Sequence, residues 1–229
     1  MGNSYGKKYF DDFYKLESNE REQILKYHLK FLLSRKKQIG SILDVGCALG
    51  EFLSFCDQAN IETFGLEISD YAVSQARKRT KATVKIVDVS KDRWPFKGSL
   101  LDAVTAFDLL EHTQNSDFVI AEAFRVLNKG GIFLASTPNG DLEGTILGKV
   151  LLPYDPTHIN VKGAKFWKES FQRVGFKDIR IQGCFSFGFP PSPRLRNLLS
   201  KVGIRSTIKP IFCPILQFCG TLFIVGFKN

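Results

Sequence analysis

The chain has 229 residues, of which 44% are apolar and 24% charged, as in an ordinary globular protein with one sizeable core. Its five cysteines contain no CxxC pair, which argues against a disulfide framework or a zinc site, and residues 1–13 contain no apolar signal-peptide core. These features predict a cytoplasmic protein with free, mostly buried thiols.

Predicted strands and helices alternate along the chain, after an aromatic-rich segment at 5–14 and an amphipathic helix over 20–35. In order, the spacing predicts strand 41–45, helix 50–59, strand 61–68, helix 69–78, strand 82–89, strand 101–110, helix 116–127 stopped by Gly130-Gly131, strand 131–137, helix 162–174 and strand 176–184. This alternation predicts an α/β fold whose mostly parallel, doubly wound sheet is covered by helices on both faces.

The composition changes near residue 188. After Asp178 the chain has no acidic residue, and that segment holds seven of the nine excess positive charges. These seven are Arg180, Arg194, Arg196, Lys201, Arg205, Lys209 and Lys228. They indicate either a solvated basic face or attraction to a lipid headgroup, a phosphorylated substrate or nucleic acid.

The C-terminal stretch 210–229 is apolar, but prolines, a glutamine and a glycine interrupt it. We therefore predict a short helix followed by a final buried strand over 221–227, and not a membrane-spanning helix.

The stretch 41-SILDVGCALGEFLSF-55 passes from a buried strand through small residues into a helix. Small residues let backbone amides approach a ligand closely, and a helix start favours negative charge. The dinucleotide fingerprint would need glycine where Ala48 and Glu51 stand, and no GK[ST] phosphate loop occurs. The pattern D-x-G-C-x-x-G instead resembles the first motif of the class I S-adenosylmethionine (SAM)-dependent methyltransferases, which usually have glycine in place of Ala48.

The resemblance continues in order. Glu67 ends a strand in 65-GLEIS-69 and Asp88 ends the next in 86-IVDVS-90. The segments 107-FDLLEHTQN-115 and 125-RVLNKGGIFLASTPN-139 resemble the small-molecule branch typified by ubiquinone-biosynthesis methyltransferases, and 154–176 continues the likeness more loosely. The resemblance implies a seven-stranded Rossmann-like fold with an antiparallel last strand and a helical insert before it. It also implies SAM as cofactor, released as S-adenosylhomocysteine.

The resemblance implies that Glu67 binds the ribose hydroxyls, that Asp88 and the Val89 amide face the adenine, and that Asp44 contacts the methionine amino group. The alternatives are a surface salt bridge for Glu67, a helix cap or turn for Asp88 and a loop cap for Asp44. We assign no chemistry to the Cys47 thiol. Tyr5, Tyr9, Phe10 and Tyr14 would form a lid or pack the N-terminal helix. The predicted cofactor-binding set is Asp44, Gly46, Cys47, Ala48, Gly50, Glu67, Ile68, Asp88, Val89, Phe107 and Tyr9.

Two histidines follow predicted strands on the side of the site. His158 is the favoured base for a hydroxyl or ammonium acceptor, with a loop anchor as its alternative, and His112 is the second candidate. The alternatives for His112 are to orient a helix start or to contact the cofactor. The same resemblance gives Glu111 the alternative role of a metal ligand, but we expect no metal ion.

We therefore predict a helical lid over 1–35, a SAM-binding core over 36–187 and 219–229, and an insert over 188–218 that covers the acceptor. The predicted activity is methyl transfer to oxygen, nitrogen or carbon of a small-molecule or lipid-like acceptor, with an anionic acceptor or peripheral membrane contact favoured by the insert. The main alternative is a SAM-binding or partner-binding module without turnover. A nucleic-acid methyltransferase is disfavoured because no [DN]PP[YF] motif occurs, and we expect no nucleic-acid partner.

Overall fold

The computed structural model describes residues 5–13, 18–145, 155–189, 207–213, 216 and 219–229. Its helices are α1 (Lys7–Phe13), α2 (Ser18–Arg35), α3 (Glu51–Gln58), α4 (Asp70–Arg79), α5 (Ser116–Val126), α6 (Gly140–Glu143) and α7 (Ala164–Val174), with a 3-10 turn at Leu110–His112. Its strands are β1 (Ser41–Val45), β2 (Glu62–Glu67), β3 (Thr83–Ile86), β4 (Leu101–Phe107), β5 (Leu127–Pro138), β6 (Lys177–Phe189), β7 (Thr207–Cys213) and β8 (Thr221–Lys228).

All eight strands belong to one sheet, in the order β3-β2-β1-β4-β5-β8-β6-β7. The first five strands in this order pair in parallel, whereas β8 runs antiparallel to both β5 and β6. The predicted fold class is therefore confirmed, including the antiparallel last strand, and β7 adds one strand to the predicted seven at the edge of the sheet. The carboxyl ends of β1, β2 and β4 meet at one edge, where ligands bind in doubly wound sheets.

Two apolar layers cover the two faces of the sheet, as the continuous apolar runs of the central strands predict. One layer is built around Trp94, Phe133, Trp167 and Phe171, all buried, and the other around Leu32, Ile42, Phe52 and Phe223. Leu32 lies on α2, so this N-terminal helix is part of the second layer.

The helix ends follow local chemistry. The Ser69 hydroxyl accepts a hydrogen bond from Ala72 N at the start of α4, as a cap is expected to do. Gly175 has a φ of 116° and ends α7, in agreement with the predicted stop.

The helix α5 ends differently from the prediction. It ends at Val126, before the Gly130-Gly131 pair, because Leu127 already pairs with Leu101 of β4 through a register shift. The two glycines lie inside β5, and Gly130 has a φ of 76°.

The segment predicted as a helical insert, 188–218, contains strand β7, which pairs antiparallel with the far half of β6. The expected helix beginning near Pro210 is therefore wrong for residues 210–213, because the backbone of Gly183–Phe189 offers these residues a strand partner. Residues 190–206, which include the predicted helical spacing of Leu195, Leu198, Leu199 and Val202, lie outside the described residues, as does Tyr14.

Asn139 pins the chain where β5 leads out of the sheet. Its side chain is fully buried and donates hydrogen bonds from Nδ2 to the Leu216 and Cys219 carbonyls, at 2.7 and 2.8 Å. Its backbone N–H donates to the Gly220 carbonyl at 2.9 Å. These bonds fix the entry to β8. Among the described residues, no helix combines the length and apolar character needed to cross a bilayer.

Candidate functional site

The loop between β1 and α3 forms the centre of the site. Gly46, Ala48 and Gly50 have φ values of 74°, 48° and 74°, in the left-handed region. The Leu66 carbonyl of β2 accepts hydrogen bonds from Gly46 N and Cys47 N, at 2.8 and 3.1 Å. Glycine tolerates such backbone angles without cost, whereas alanine does not. Glycine at the Ala48 position would therefore relieve strain.

Glu67 closes this loop from the end of β2. It is buried, and its Oε2 accepts from Ala48 N at 3.0 Å, while Oε1 accepts from Ile68 N and Ser69 N at 2.9 Å each. Burial raises the pKa of this carboxyl, and the three backbone donors oppose that rise. The alternative of a surface salt bridge does not hold, because the side chain faces backbone amides.

Asp44 lies one strand away, on β1, and is buried. Its Oδ1 accepts a hydrogen bond from the Thr105 hydroxyl of β4 at 2.7 Å. The pKa of Asp44 is raised to about 7, mainly by burial. The Thr105 hydrogen bond opposes this rise, and the charge of Glu67 adds to it. A positively charged ligand group beside Asp44 would offset the cost of ionising it.

A cavity of about 350 Å³, including its mouth, opens beside the β1–α3 loop. It is lined by Arg21, Leu25, Asp44, Gly46, Cys47, Ala48, Glu51, Phe52 and Phe107. Phe107 ends β4 and stacks on the buried His28 of α2, with ring centroids 4.3 Å apart. The helix α2 therefore covers one side of the cavity.

Sequence reasoning missed four of these lining residues, namely Arg21, Leu25, Glu51 and Phe52, of which Arg21 and Glu51 are charged. Glu51 forms ion pairs with Arg21 of α2 and with Arg79 of α4, the latter at 2.7 Å. Arg21 and Arg79 lie 30 and 28 positions from Glu51 in the sequence, so no local pattern predicts these ion pairs. The ion pairs tie the N-terminal helix to the start of α3.

The N-terminal aromatic residues lie against the same loop. Phe10 is buried and packs with Ala48 and Ala72, while Tyr9 packs at their edge and contacts Phe10, with ring centroids 5.2 Å apart. The Ser69 hydroxyl donates to the Tyr5 carbonyl at 2.5 Å. Burial raises the pKa of Tyr5, and the charges of Glu67 and Asp155 raise it further.

The predicted adenine-facing residues have other partners. Asp88 accepts from Ser90 N and Ser90 Oγ and pairs with Lys91 at 2.9 Å, so the alternative of a turn residue describes its contacts. Burial raises its pKa, but the hydrogen bonds from Lys91 and Ser90 outweigh burial and lower it. The Val89 carbonyl accepts from Trp94 Nε1, and Ile68 is 43% exposed.

His112 and His158 lie together, with ring centroids 4.9 Å apart. They come from the 3-10 turn after β4 and from the loop before α7. Ile159 N and Asn160 N each donate to the Glu111 carbonyl at 2.9 Å and so join the two segments. Burial lowers the pKa of His112, the hydrogen bond to the Thr157 carbonyl opposes this, and His158 lowers it further.

A metal-ligand role for Glu111 was predicted only as an alternative. In the structure its side chain is fully buried beside both histidines. Burial raises its pKa well above the usual range, and the charge of Asp108 adds to this. The Thr137 hydroxyl lies near enough to oppose the rise but does not reach hydrogen-bond geometry. One ligand atom from each of Glu111, His112 and His158 lies within 4.8 Å of the others, which is close enough to hold a metal ion.

The fold and the loop at its strand ends define a methyltransferase-domain protein. A family model described as "Methyltransferase domain" matches residues 16–181, and the chain belongs to that family. The predicted resemblance to SAM-dependent methyltransferases, with SAM as the family's cofactor, is thereby confirmed. The comparison with the ubiquinone-biosynthesis branch is not tested.

The particular relatives are distant. The chain is 28% identical to a probable S-adenosylmethionine-dependent methyltransferase of Mycolicibacterium smegmatis, over 63% of this chain and 54% of the relative. It is 30% identical to squalene methyltransferase 1 of Botryococcus braunii, over 59% of this chain and 39% of the relative. The chain thus spans about half the length, or less, of these relatives. A SAM-dependent methyltransferase structure from Archaeoglobus fulgidus shares the fold, with a TM-score of 0.67, 18% identity and coverage of 90% and 94% of the two chains.

Proposed function

We propose that this chain transfers the methyl group of SAM to a small-molecule or lipid-like acceptor. One observation carries the proposal: the left-handed loop after β1 is held by Glu67 and lies beside the buried Asp44, at the edge where the parallel strands end. This arrangement suits a ligand that presents a sugar diol and a positively charged amino group.

In this proposal SAM lies beyond β1, with its amino group near Asp44 and its ribose near Glu67. Three backbone N–H groups already occupy the Glu67 carboxylate, which has about four acceptor positions. One position is left for a ribose hydroxyl, so Glu67 would bind one hydroxyl and hold the loop at the same time. Phe107 and the N-terminal Tyr9 would border the cofactor from either side.

Methyl transfer from a sulfonium is an in-line displacement. The C–S bond breaks as the methyl–acceptor bond forms, the positive charge leaves the sulfur, and S-adenosylhomocysteine departs as a neutral thioether. The site must hold the nucleophile in line and exclude water. A hydroxyl or ammonium acceptor must also lose a proton, which a nearby base can take.

Each of the two histidines has one ring nitrogen that could accept this proton. His112 Nδ1 lies 3.1 Å from the Thr157 carbonyl, which can only accept a hydrogen bond, so Nδ1 carries the proton and Nε2 keeps its lone pair. His158 Nε2 lies 3.6 Å from Asp155 Oδ2, which favours a proton on that nitrogen. Each imidazole thus keeps one lone pair, on His112 Nε2 and on His158 Nδ1, so both histidines are proposed as bases, with His158 the one that the sequence favours.

The positive charge of the C-terminal segment and the name of one relative support the proposed class of acceptor. The acid-free segment after Asp178 would attract an anionic or lipid-linked acceptor, or an anionic membrane surface. A relative is named for methylating squalene, an apolar lipid, which is consistent with a lipid-like acceptor. Flotation with vesicles that contain phosphatidylserine tests this part: salt-sensitive binding is expected, and indifference to both anionic and neutral vesicles would remove it.

Calorimetry with SAM and S-adenosylhomocysteine, followed by a turnover assay over amine, phenol and lipid acceptors, tests the function. We expect binding of both nucleosides and methylated product from at least one acceptor class. Binding without any turnover would support the alternative of a non-catalytic module, which the strained Ala48 favours. Absence of nucleoside binding would overturn the proposed function.

A further inference from the structure

His28 of α2 is buried between this helix and the sheet, and the residue is only 6% exposed. Its ring stacks on Phe107 of β4, with centroids 4.3 Å apart, and meets Phe223 of β8 edge-on at 5.2 Å. Within the part of the chain that the structure describes, Nδ1 has no hydrogen-bond partner. A neutral imidazole can keep a bare lone pair on Nδ1, whereas a charged imidazole carries an N–H there that finds no acceptor.

The helix that holds His28 also forms one wall of the cavity beside the β1–α3 loop. Leu25 lies about one helical turn before His28 and Arg21 about one turn before Leu25, and both line the cavity. Phe107 lines it as well, and the imidazole rests on its ring. Movement of His28 away from the sheet would therefore carry Leu25 and Arg21 away from the cavity.

Among the described residues, two charged side chains act on this imidazole. The pKa of His28 is lowered from 6.5 to about 4, mainly by burial. Asp108, directly after β4, opposes the fall, and Arg21, which is paired with Glu51 of α3, adds to it. The strand β8 has no titratable side chain before Lys228. The imidazole is therefore neutral at neutral pH while α2 lies on the sheet, and the charge of Asp108 does not offset the cost of ionising it.

We propose that α2 is a proton-sensitive lid, and that a proton bound by His28 releases this helix from the sheet and opens the cavity beside the β1–α3 loop. The imidazolium needs acceptors for two N–H groups and has none for Nδ1 between Phe107 and Phe223, whereas water supplies them once α2 moves away. The opening does not depend on what the cavity binds. Only its effect on a bound nucleoside rests on the proposed function.

The direction and the size of the effect follow from the linkage between proton binding and opening. With α2 open, the imidazole is in water and its pKa returns to 6.5, whereas with α2 closed it stays at about 4. Above pH 6.5 the imidazole is neutral in both states, so pH has no effect. From pH 6.5 down to about 4, only the open state takes up the proton, so the ratio of open to closed chains rises about tenfold per pH unit, or about 300-fold in all.

Amide hydrogen exchange on the full chain between about pH 7.5 and 5.0, with rates corrected for their intrinsic pH dependence, tests the lid. Protection of the α2 amides should fall about tenfold per pH unit below 6.5. The helix α5, which packs in the apolar layer on the other face of the sheet, should keep its protection and serves as the internal control.

Two variants remove the titrating group. His28→Phe keeps a ring in the stack, and His28→Leu places a smaller apolar side chain there; in both, protection of α2 should no longer depend on pH below 6.5. A magnetic resonance titration of the wild-type imidazole needs no variant. The His28 signal should titrate well below pH 6.5 as long as the α2 amides remain protected.

Three results would overturn the lid: the same pH dependence of α2 protection in the wild type and in the folded variants, equal loss of protection in α2 and α5, or a His28 titration near pH 6.5 with α2 still protected. Release of preloaded S-adenosylhomocysteine keeps the two proposals separate. In the wild type, lowering the pH from about 7.5 to 5.5 should speed this release about tenfold more than in His28→Phe. A chain that binds no nucleoside loses the proposed function and keeps the lid, whereas nucleoside binding with pH-independent protection of α2 does the reverse.

Discussion

The sharpest prediction concerns Glu67→Ala. Three of the four acceptor positions of this carboxylate are filled by the N–H groups of Ala48, Ile68 and Ser69, so one is available to the ribose. A hydrogen bond to a charged group contributes about 1.5–3 kcal/mol. Its loss corresponds to about a 10- to 150-fold weaker affinity for SAM and S-adenosylhomocysteine.

Glu67→Ala also leaves backbone donors without an acceptor. The N–H groups of Ala48 and Ser69 are bound within the buried site, and each costs about 1–3 kcal/mol when unsatisfied. Titration calorimetry must therefore be run where circular dichroism shows the variant to be folded. Glu67→Gln keeps one carbonyl oxygen for the Ile68 and Ser69 amides and should lie between the wild type and alanine in both stability and affinity.

The matched control is Glu62→Ala, which removes an exposed acid from the other end of β2 and should change neither quantity. A folded Glu67→Ala chain that binds both nucleosides as tightly as the wild type would refute the assignment of the ribose to Glu67, and with it the position of the cofactor.

Three further predictions concern the same loop. Asp44 has a pKa of about 7 in the fold and an ordinary value of 3.8, so its protonated form stabilises the fold fully below pH 3.8 and this contribution is lost as pH rises through 7. In urea unfolding of the unliganded chain between pH 4 and pH 8, the free energy of unfolding of Asp44→Asn should therefore fall by about 4 kcal/mol less than that of the wild type. Parallel pH profiles of the two chains would contradict this. Gly46→Ala, with a φ of 74° and a new Cβ 2.9 Å from Leu109 Cδ1, should destabilise the fold by more than Gly130→Ala, where φ is 76° and the space is open; equal losses of about 1–2 kcal/mol would show that the Leu109 contact does not matter. Ala48→Gly should raise Tm or SAM affinity, because it relieves a left-handed alanine at 48°, and a lower Tm with weaker binding would count against strain at this position.

The order of strands and the first loop were predictable because both leave local patterns. Apolar runs bounded by turn residues marked β1, β2, β4 and β8, and small residues after Asp44 marked the loop. The early start of β5 was not predictable, since it depends on Leu127 pairing with Leu101 through a register shift. The strand β7 was missed for the same reason: its partner is the distal half of β6, not a neighbour in sequence.

The residue types of the candidate site could be predicted from the sequence, but the contacts that these residues make could not. Nothing in 65-GLEIS-69 reveals that the Glu67 carboxylate would be occupied by three backbone amides. The burial of Glu111 beside His112 and His158 depends on a loop more than 40 residues downstream. The Asp155–Thr157 turn that orients these histidines has a local signal, an aspartate two residues before a threonine, but its importance is visible only in three dimensions.

Asn139 has a consequence for how this scaffold could be diversified. Its amide holds the end of β5 against Leu216 and Cys219, just before β8, so the pairing of β5 with β8 is anchored independently of residues 190–206, the excursion between β6 and β7. Lengthening or exchanging residues 190–206 should reduce the stability of the fold only slightly, because the entropic free energy of loop closure rises slowly with loop length. If the insert covers the acceptor, as the sequence predicts, a laboratory graft of a foreign segment between positions 190 and 206 should change the range of acceptors and leave SAM affinity unchanged.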